Sequence, residues 1–98
     1  MNPLSVKPHA WDDIHIIFTH PHYSVIFGAY EGTYCLGMRW NGRAGERGYP
    51  GQGKHPLWFV IPDPFRPGIL ATLITMTGPG GSLDEEALHL ANDYFANE

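Results

Sequence analysis

Alternating apolar and polar side chains predict three consecutive strands in the first half of the chain. Residues 14–19 are rich in β-branched side chains, and residues 23–30 and 33–40 repeat apolar side chains at every second position. A His-Pro-His tripeptide separates the first two segments, and a Glu-Gly pair separates the second from the third. Proline lacks an amide donor and glycine accepts a positive φ, so both breaks predict turns. Connections this short favour an antiparallel meander.

The third of these strands carries different chemistry on its two faces. Its apolar face contains Tyr34, Leu36, Met38 and Trp40. Its opposite face contains Cys35, Gly37 and Arg39. Cys35 is the only cysteine of the chain, which excludes an intrachain disulfide. Its position in a predicted strand favours a small buried hydrophobic side chain over a nucleophile.

Three further elements are predicted in the second half of the chain. Residues 57–61 are a continuous apolar run between two prolines, which predicts a strand buried on both faces. Residues 67–76 repeat apolar side chains at helical spacing and predict a helix, with a strand as the alternative because threonines are frequent there. Ser82 and Glu85 match a capping box, which predicts a last amphipathic helix with Ser82 as its N-cap.

These elements predict a single α+β domain over residues 1–98, with a small, mainly antiparallel sheet of about four strands packed against two C-terminal helices. Residues 1–10 contain two prolines and predict an extended N-terminal arm. Residues 42–56 contain five glycines and predict a long loop without secondary structure. Loops of that length are often functional in a compact domain.

Positive charge is concentrated around this loop. Four of the six basic residues fall between residues 39 and 54, where Glu46 is the only acid. The segment therefore carries about +3 on a chain whose net charge is −4. Such a segment attracts anions, although a glycine-rich loop also needs charged side chains simply to remain solvated.

An anion or small-ligand site is the functional hypothesis that this loop supports. Glycine amides form concave anion nests, basic side chains add charge-assisted hydrogen bonds, and aromatic side chains offer stacking faces. The candidate ligand-binding residues are Arg39, Trp40, Arg43, Arg47, Tyr49, Lys54, His55 and Trp58. The alternative is that both tryptophans belong to the core and that the basic residues only solvate the loop.

The loop does not match a triphosphate-binding motif. Its glycine and lysine spacing resembles part of a P-loop, but His55 stands where that motif has Ser or Thr. Pro56 and an apolar run follow it, where a P-loop opens a helix.

No catalytic residue, cofactor or metal site is predicted. The six histidines lack the spacing of a zinc site, and no nucleophile motif is present. Asp12 or Asp13 beside a histidine offers acid–base chemistry of a kind that any small protein contains.

We therefore expect a non-enzymatic binding or protein-interaction module that forms a homo-oligomer and uses the basic loop for a phosphate-bearing or acidic ligand. One alternative is a small enzyme or nucleotide-binding protein that uses the same loop. Another is a single-stranded nucleic-acid binder, which the net charge of −4 disfavours. The N-terminus has no signal-like apolar segment and no run approaches about 18 apolar residues, so we expect a cytoplasmic protein without membrane contact.

Two segments resemble a pattern in small bacterial proteins of unassigned activity. They are Leu36-Gly37-Met38-Arg39-Trp40-Asn41-Gly42 and, after Tyr49-Pro50, His55-Pro56-Leu57-Trp58-Phe59-Val60-Ile61-Pro62. The resembling proteins are often encoded on mobile gene cassettes and genomic islands. The resemblance covers about residues 36–74 and implies a bacterial, cytoplasmic accessory protein. It carries no functional residues over to this chain.

Overall fold

Five strands form one antiparallel sheet, and its centre is the three-strand meander that the alternation predicts. The computed structural model describes residues 10–41, 48–49, 51–52, 55–56, 58–75 and 81–97. In chain order the strands are β1 (Trp11–Thr19), β2 (Tyr23–Tyr30), β3 (Thr33–Trp40), β4 (Gly51–Gln52), β5 (His55–Pro56), β6 (Phe59–Val60) and β7 (Ser82–Leu83). The sheet order is β6-β3-β2-β1-β7, and β4 and β5 pair separately.

Two helices follow the meander. The first, α1 (Arg66–Ile74), begins after a 3-10 turn at Asp63–Phe65, and the second, α2, spans Glu85–Ala96. The helix predicted over residues 67–76 is thus confirmed where the chain is described. The α+β class is also confirmed, with five strands in the main sheet because two-residue strands extend it at both edges. No helix in the described ranges is long and apolar enough to cross a bilayer.

The turn between β2 and β3 fixes the register of the meander. Glu31 and Gly32 both have positive φ, 49° and 85°, which is the conformation of a tight hairpin turn matched to the twist of the strands. Eight residue pairs then run without a shift from Tyr30 opposite Thr33 to Tyr23 opposite Trp40.

Strand β1 is interrupted by two register shifts. One lies between Asp12 and His15, where Asp13 has a φ of 51°, and the other lies between Ile16 and Phe18. Each shift places one extra residue in β1 relative to β2, which is the pattern of a β-bulge. The second bulge allows the adjacent residues Ile17 and Phe18 to enter the same core.

Both helices cover one face of the sheet, which we call the helix face. The core there combines side chains from β1, β2 and β3 with those of both helices and of the segment before α1. Its buried members are Ile17, Phe18, Val25, Phe27, Leu36, Ile61, Leu70, Leu73, Ala87, Leu88 and Ala91. The predicted alternation of β2 and β3 is confirmed, since their apolar sets face these helices.

The opposite face is also buried, and two indoles provide much of its core. Trp11 and Trp58 pack there with Ile26 and Cys35, and all four are at most 6% exposed. A Cβ at Gly37 would meet the Trp11 ring at 2.9 Å, so glycine makes room for the indole. The expected burial of Cys35 is confirmed, and burial raises the pKa of its thiol.

Several local predictions were wrong. Ser82 is not the N-cap of α2 but part of β7, and the Asp84 side chain instead accepts a hydrogen bond from the Ala87 amide at 3.1 Å. Phe59 is 53% exposed, so the strand predicted over residues 57–61 is not buried on both faces. The loop predicted over residues 42–56 is not without structure, because β4 and β5 pair inside it. Residues 1–9 of the predicted arm lie outside the described residues.

Candidate functional site

An aromatic pocket of about 380 Å³ lies at the end of the sheet where β2 begins and β3 ends. Its lining is almost entirely apolar and includes four aromatic rings. The lining residues are Tyr23, Met38, Arg39, Trp40, Tyr49 and Phe59. We call this cavity the aromatic pocket. Its volume lies within the range of small-molecule sites in proteins, about 300–1,000 Å³.

Cross-strand pairing brings these side chains together. Tyr23 on β2 is opposite Trp40 on β3, and Met38 on β3 is opposite Phe59 on β6. Opposite residues of an antiparallel pair place their side chains on the same face. Because Tyr23 and Met38 pack against the core beneath the helices, the pocket is a continuation of the helix face.

Three of the four rings present large solvent-accessible surfaces. Trp40 is 58% exposed, Tyr49 is 68% exposed and Phe59 is 53% exposed. The Trp40 ring meets the Tyr23 ring edge-on, with 5.9 Å between centroids, and the His20 ring stacks on Tyr23 with 4.5 Å between centroids. The pocket thus offers ring faces and edges to a ligand within a fixed aromatic array.

A buried amide holds the start of the long loop against the β1–β2 turn. Asn41 is 1% exposed, and its Nδ2 donates to the His20 carbonyl at 2.8 Å and to Ser24 Oγ at 3.0 Å. The Asn41 backbone amide also donates to the His22 carbonyl at 2.7 Å. These bonds satisfy a fully buried side chain and fix the chain directly after Trp40.

The return of the loop is fixed by a backbone pair. The amide of Trp40 donates to the carbonyl of Tyr49 at 2.6 Å, and the amide of Tyr49 donates to the carbonyl of Trp40 at 2.8 Å. Gly48 precedes this pair with a φ of 74°, and a Cβ there would collide with the Trp40 carbonyl oxygen. A side chain at position 48 is therefore excluded both by conformation and by space.

Arg39 is buried beside the pocket. It is 3% exposed, and its guanidinium carbon lies 5.8 Å from the centre of the Trp58 ring. A Cβ at Gly48 would lie 2.5 Å from one of its terminal nitrogens, so the guanidinium reaches the loop return. Burial lowers the pKa of Arg39 from its ordinary value, yet arginine remains charged in proteins.

The structure divides the residues predicted for ligand binding. Trp40 and Tyr49 line the pocket as exposed rings. Arg39 lies beside the pocket, but its side chain is buried on the opposite face of the sheet, over Trp58. Trp58 is 4% exposed and belongs to the core on the opposite face, as the alternative interpretation expected. His55 is described only as backbone in β5. The side chains of Arg43, Arg47 and Lys54 lie outside the described residues.

Sequence reasoning missed three of the lining residues, Tyr23, Met38 and Phe59. The predicted apolar face of β3 contains Met38 and Trp40, but only Trp40 was named as a candidate for ligand binding. Nothing in the pattern shows how β2 and β3 are aligned or where the helices stop covering the face.

A separate polar cluster lies on β1 and β3. Asp13 accepts a hydrogen bond from the Tyr34 hydroxyl at 2.6 Å, and its other oxygen lies 2.9 Å from His15 Nε2. The Tyr34 hydrogen bond lowers the pKa of Asp13 and the same bond raises the pKa of Tyr34. The Tyr34 hydrogen bond stabilises the Asp13 carboxylate at the bulge, where Asp13 adopts a positive φ. Within the described ranges, no three His, Cys, Asp or Glu side chains are grouped to hold a metal ion.

Comparisons with protein-family models, with curated proteins and with solved structures find no match to this chain.

Proposed function

We propose that this protein is a non-enzymatic binding module that holds a flat ring in the aromatic pocket. The observation that carries the proposal is the juxtaposition of three exposed rings, those of Trp40, Tyr49 and Phe59, around one cavity of about 380 Å³. Exposed aromatic side chains lose hydration favourably when a ring stacks on them, and stacking contributes about 1–3 kcal/mol per base in nucleic-acid sites.

The rigidity of the pocket supports the same function. Asn41 fixes one end of the loop, and the Trp40–Tyr49 backbone pair fixes the other. A ligand therefore meets rings that are already positioned, which lowers the entropy cost of binding.

The chemistry of the lining supports binding rather than catalysis. Among the described lining residues, the ionisable side chains on the pocket's face of the sheet are two tyrosines, because the Arg39 side chain is buried on the opposite face over Trp58. The polar cluster at Asp13 is not among the residues that line the pocket. The contribution of Arg43, Arg47 and Lys54 to an anionic ligand stays a prediction, as do the cytoplasmic location, the bacterial origin and the homo-oligomer.

The tryptophans allow a direct test. Trp40 is 58% exposed, whereas Trp11 is 3% and Trp58 is 4% exposed, so a ring in the pocket should move one indole N–H resonance of the three. We expect saturable shifts of the Trp40 resonance during titration with adenosine, indole-3-ethanol or 2-naphthamide. Trp40→Phe assigns that resonance and retains a ring. Trp40→Ala should weaken binding by about tenfold, measured by isothermal titration calorimetry because this variant lacks the Trp40 resonance.

Two results would contradict the proposal. One is that adenosine, indole-3-ethanol and 2-naphthamide all fail to shift the Trp40 resonance at millimolar concentration. The other is that light scattering shows a dimer that Trp40→Ala converts to monomer, because the exposed rings would then form a contact between two copies.

A further inference from the structure

The rings of the aromatic pocket provide most of its electrostatic character. On the pocket's face of the sheet, the described lining side chains are four aromatic rings and one thioether, so neither an acid nor a base faces a ligand there. These side chains are those of Tyr23, Met38, Trp40, Tyr49 and Phe59. A ligand in the pocket therefore meets ring faces and edges, and not a fixed ionic partner.

This lining favours an uncharged ligand. An ion that leaves water for an apolar surface loses hydration free energy unless an opposite charge receives it. The negative faces of aromatic rings repel an anion. They attract a cation, but the segment that supplies Trp40 and Tyr49, residues 39–54, carries about +3 and repels one.

The exposed rings also discriminate among uncharged ligands. Trp40 is 58% exposed and Tyr49 is 68% exposed, and the indole nitrogen and the phenol oxygen donate electron density to these two rings. An electron-rich ring has a strongly negative face, which is repelled by the face of a second electron-rich ring. A ring with electron-withdrawing groups has a less negative face and stacks on the first ring more favourably.

Resting on the proposed function, we infer that the aromatic pocket selects an uncharged, electron-poor planar ring that stacks against the indole of Trp40. Rings with nitro or carbonyl substituents and heteroaromatic rings with several nitrogen atoms belong to this class. Electron-rich phenols and methoxyarenes do not. The preference arises from electrostatic complementarity between ring faces, so it can be measured separately from the burial of apolar area that both classes share.

The test compares two matched pairs of uncharged probes. They are 4-nitrobenzamide with 4-methoxybenzamide, and 6-nitro-2-naphthamide with 6-methoxy-2-naphthamide. Within a pair the ring and the amide are the same, and only the substituent changes from electron-withdrawing to electron-donating. We expect the nitro compound of each pair to bind about threefold more tightly than its methoxy partner. Saturation-transfer NMR on the proton resonances of the probe measures both affinities, including in variants that lack the Trp40 indole.

Variants locate the source of the preference. Trp40→Phe keeps a ring but replaces the indole with a phenyl group of weaker electrostatic attraction, and should lower the nitro-to-methoxy affinity ratio to about one. A purely structural defect would instead weaken both probes equally. Tyr49→Phe removes only the electron-donating hydroxyl and should lower the ratio by a smaller factor. The matched control is Tyr94→Phe, an exposed tyrosine on α2 that is not among the lining residues, and it should leave the ratio unchanged.

The outcomes separate this inference from the proposed function. Far-UV circular dichroism establishes that the variants fold, and if Trp40→Phe does not fold, Tyr49→Phe decides the source of the preference. Equal binding within both pairs, or tighter binding of the methoxy compounds, overturns the electron-poor class and leaves the ring pocket standing. Failure of all four probes to bind at millimolar concentration overturns both. A preference that is unchanged in Trp40→Phe and in Tyr49→Phe overturns the assignment to these rings.

Discussion

The two ends of the helix face use aromatic side chains in opposite ways. At the covered end, Phe27 is 2% exposed and contacts the rings of Tyr34 and Phe95, whereas at the open end Trp40 is 58% exposed. Both residues come from the same alternating pattern on adjacent strands. Residue type and strand position therefore do not distinguish a core ring from a ring that is available to a ligand; the extent of the helices does.

The largest expected effect comes from removing a ring at the covered end. Phe27→Ala should destabilise the protein by about 3–5 kcal/mol, because it removes a fully packed ring and leaves a cavity. Chemical denaturation measures the change, and Phe27→Leu is the milder control. A loss below about 1 kcal/mol would show that the two ends do not differ in packing.

A second change acts on the return of the long loop beside Trp40, at the open end of the helix face. Gly48→Ala should cost about 2–3 kcal/mol, because alanine is strained at this φ and its Cβ would collide with the Trp40 carbonyl. Gly32→Ala is the matched control: it has a similar φ of 85° but no described atom within 4 Å of the added carbon, so it should cost about 1 kcal/mol. Equal losses in the two variants would argue against the close approach at Gly48.

A third change removes a ring at the open end. Trp40→Ala should alter the free energy of unfolding by less than about 1 kcal/mol while it weakens ring binding, since most of the side chain is already exposed. Thermal unfolding and ring binding by isothermal titration calorimetry are measured on the same preparation, since this variant lacks the Trp40 resonance. A loss of stability as large as that of Phe27→Ala would show that Trp40 is a core residue, and the two ends of the helix face would then not differ.

The smallest expected effect concerns pH at the exposed polar cluster. The Tyr34 hydrogen bond lowers the pKa of Asp13 below the ordinary value of 3.8. The contribution of ionised Asp13 to stability is therefore present above pH 3.8 and is lost as the pH falls through the lowered pKa. The pKa of Tyr34 is raised above its ordinary 10.0, so its contribution persists below pH 10 and is lost above it.

Tyr34→Phe retains the ring and removes this hydrogen bond. Denaturation from pH 2 to pH 7 should show the variant slightly less stable near neutrality, with the difference vanishing in acid. A constant difference across that range would mean that the ring packing of Tyr34, and not its bond to Asp13, is responsible.

The sequence predicts the meander well because each of its signals is local. The alternation in β2 and β3 and the turn at Glu31 and Gly32 need no information from elsewhere in the chain. The last helix was predicted correctly but its start was not. Ser82 is drawn into β7 by pairing with Thr19, a contact 63 positions away that no capping pattern contains.

The pocket was only partly predictable for the same reason. Trp40 and Tyr49 were identified because they lie in or beside the basic loop, whereas Phe59 enters the pocket through its pairing with Met38. Asn41 was not singled out from the sequence, although it forms a buried hydrogen-bond network with His20 and Ser24. Both cases depend on long-range register.

The bulges in β1 have a consequence for behaviour at high concentration. Strand β7 pairs only with Phe18 and Thr19, so among the described residues the outer side of Trp11–Ile16 has no neighbouring strand. A straight edge of that length would be a template for adding strands from other molecules. The displaced backbone at Asp13 interrupts the even spacing of amides and carbonyls, and its carboxylate adds charge there. The same irregularity that complicates the register thus discourages the growth of intermolecular sheets.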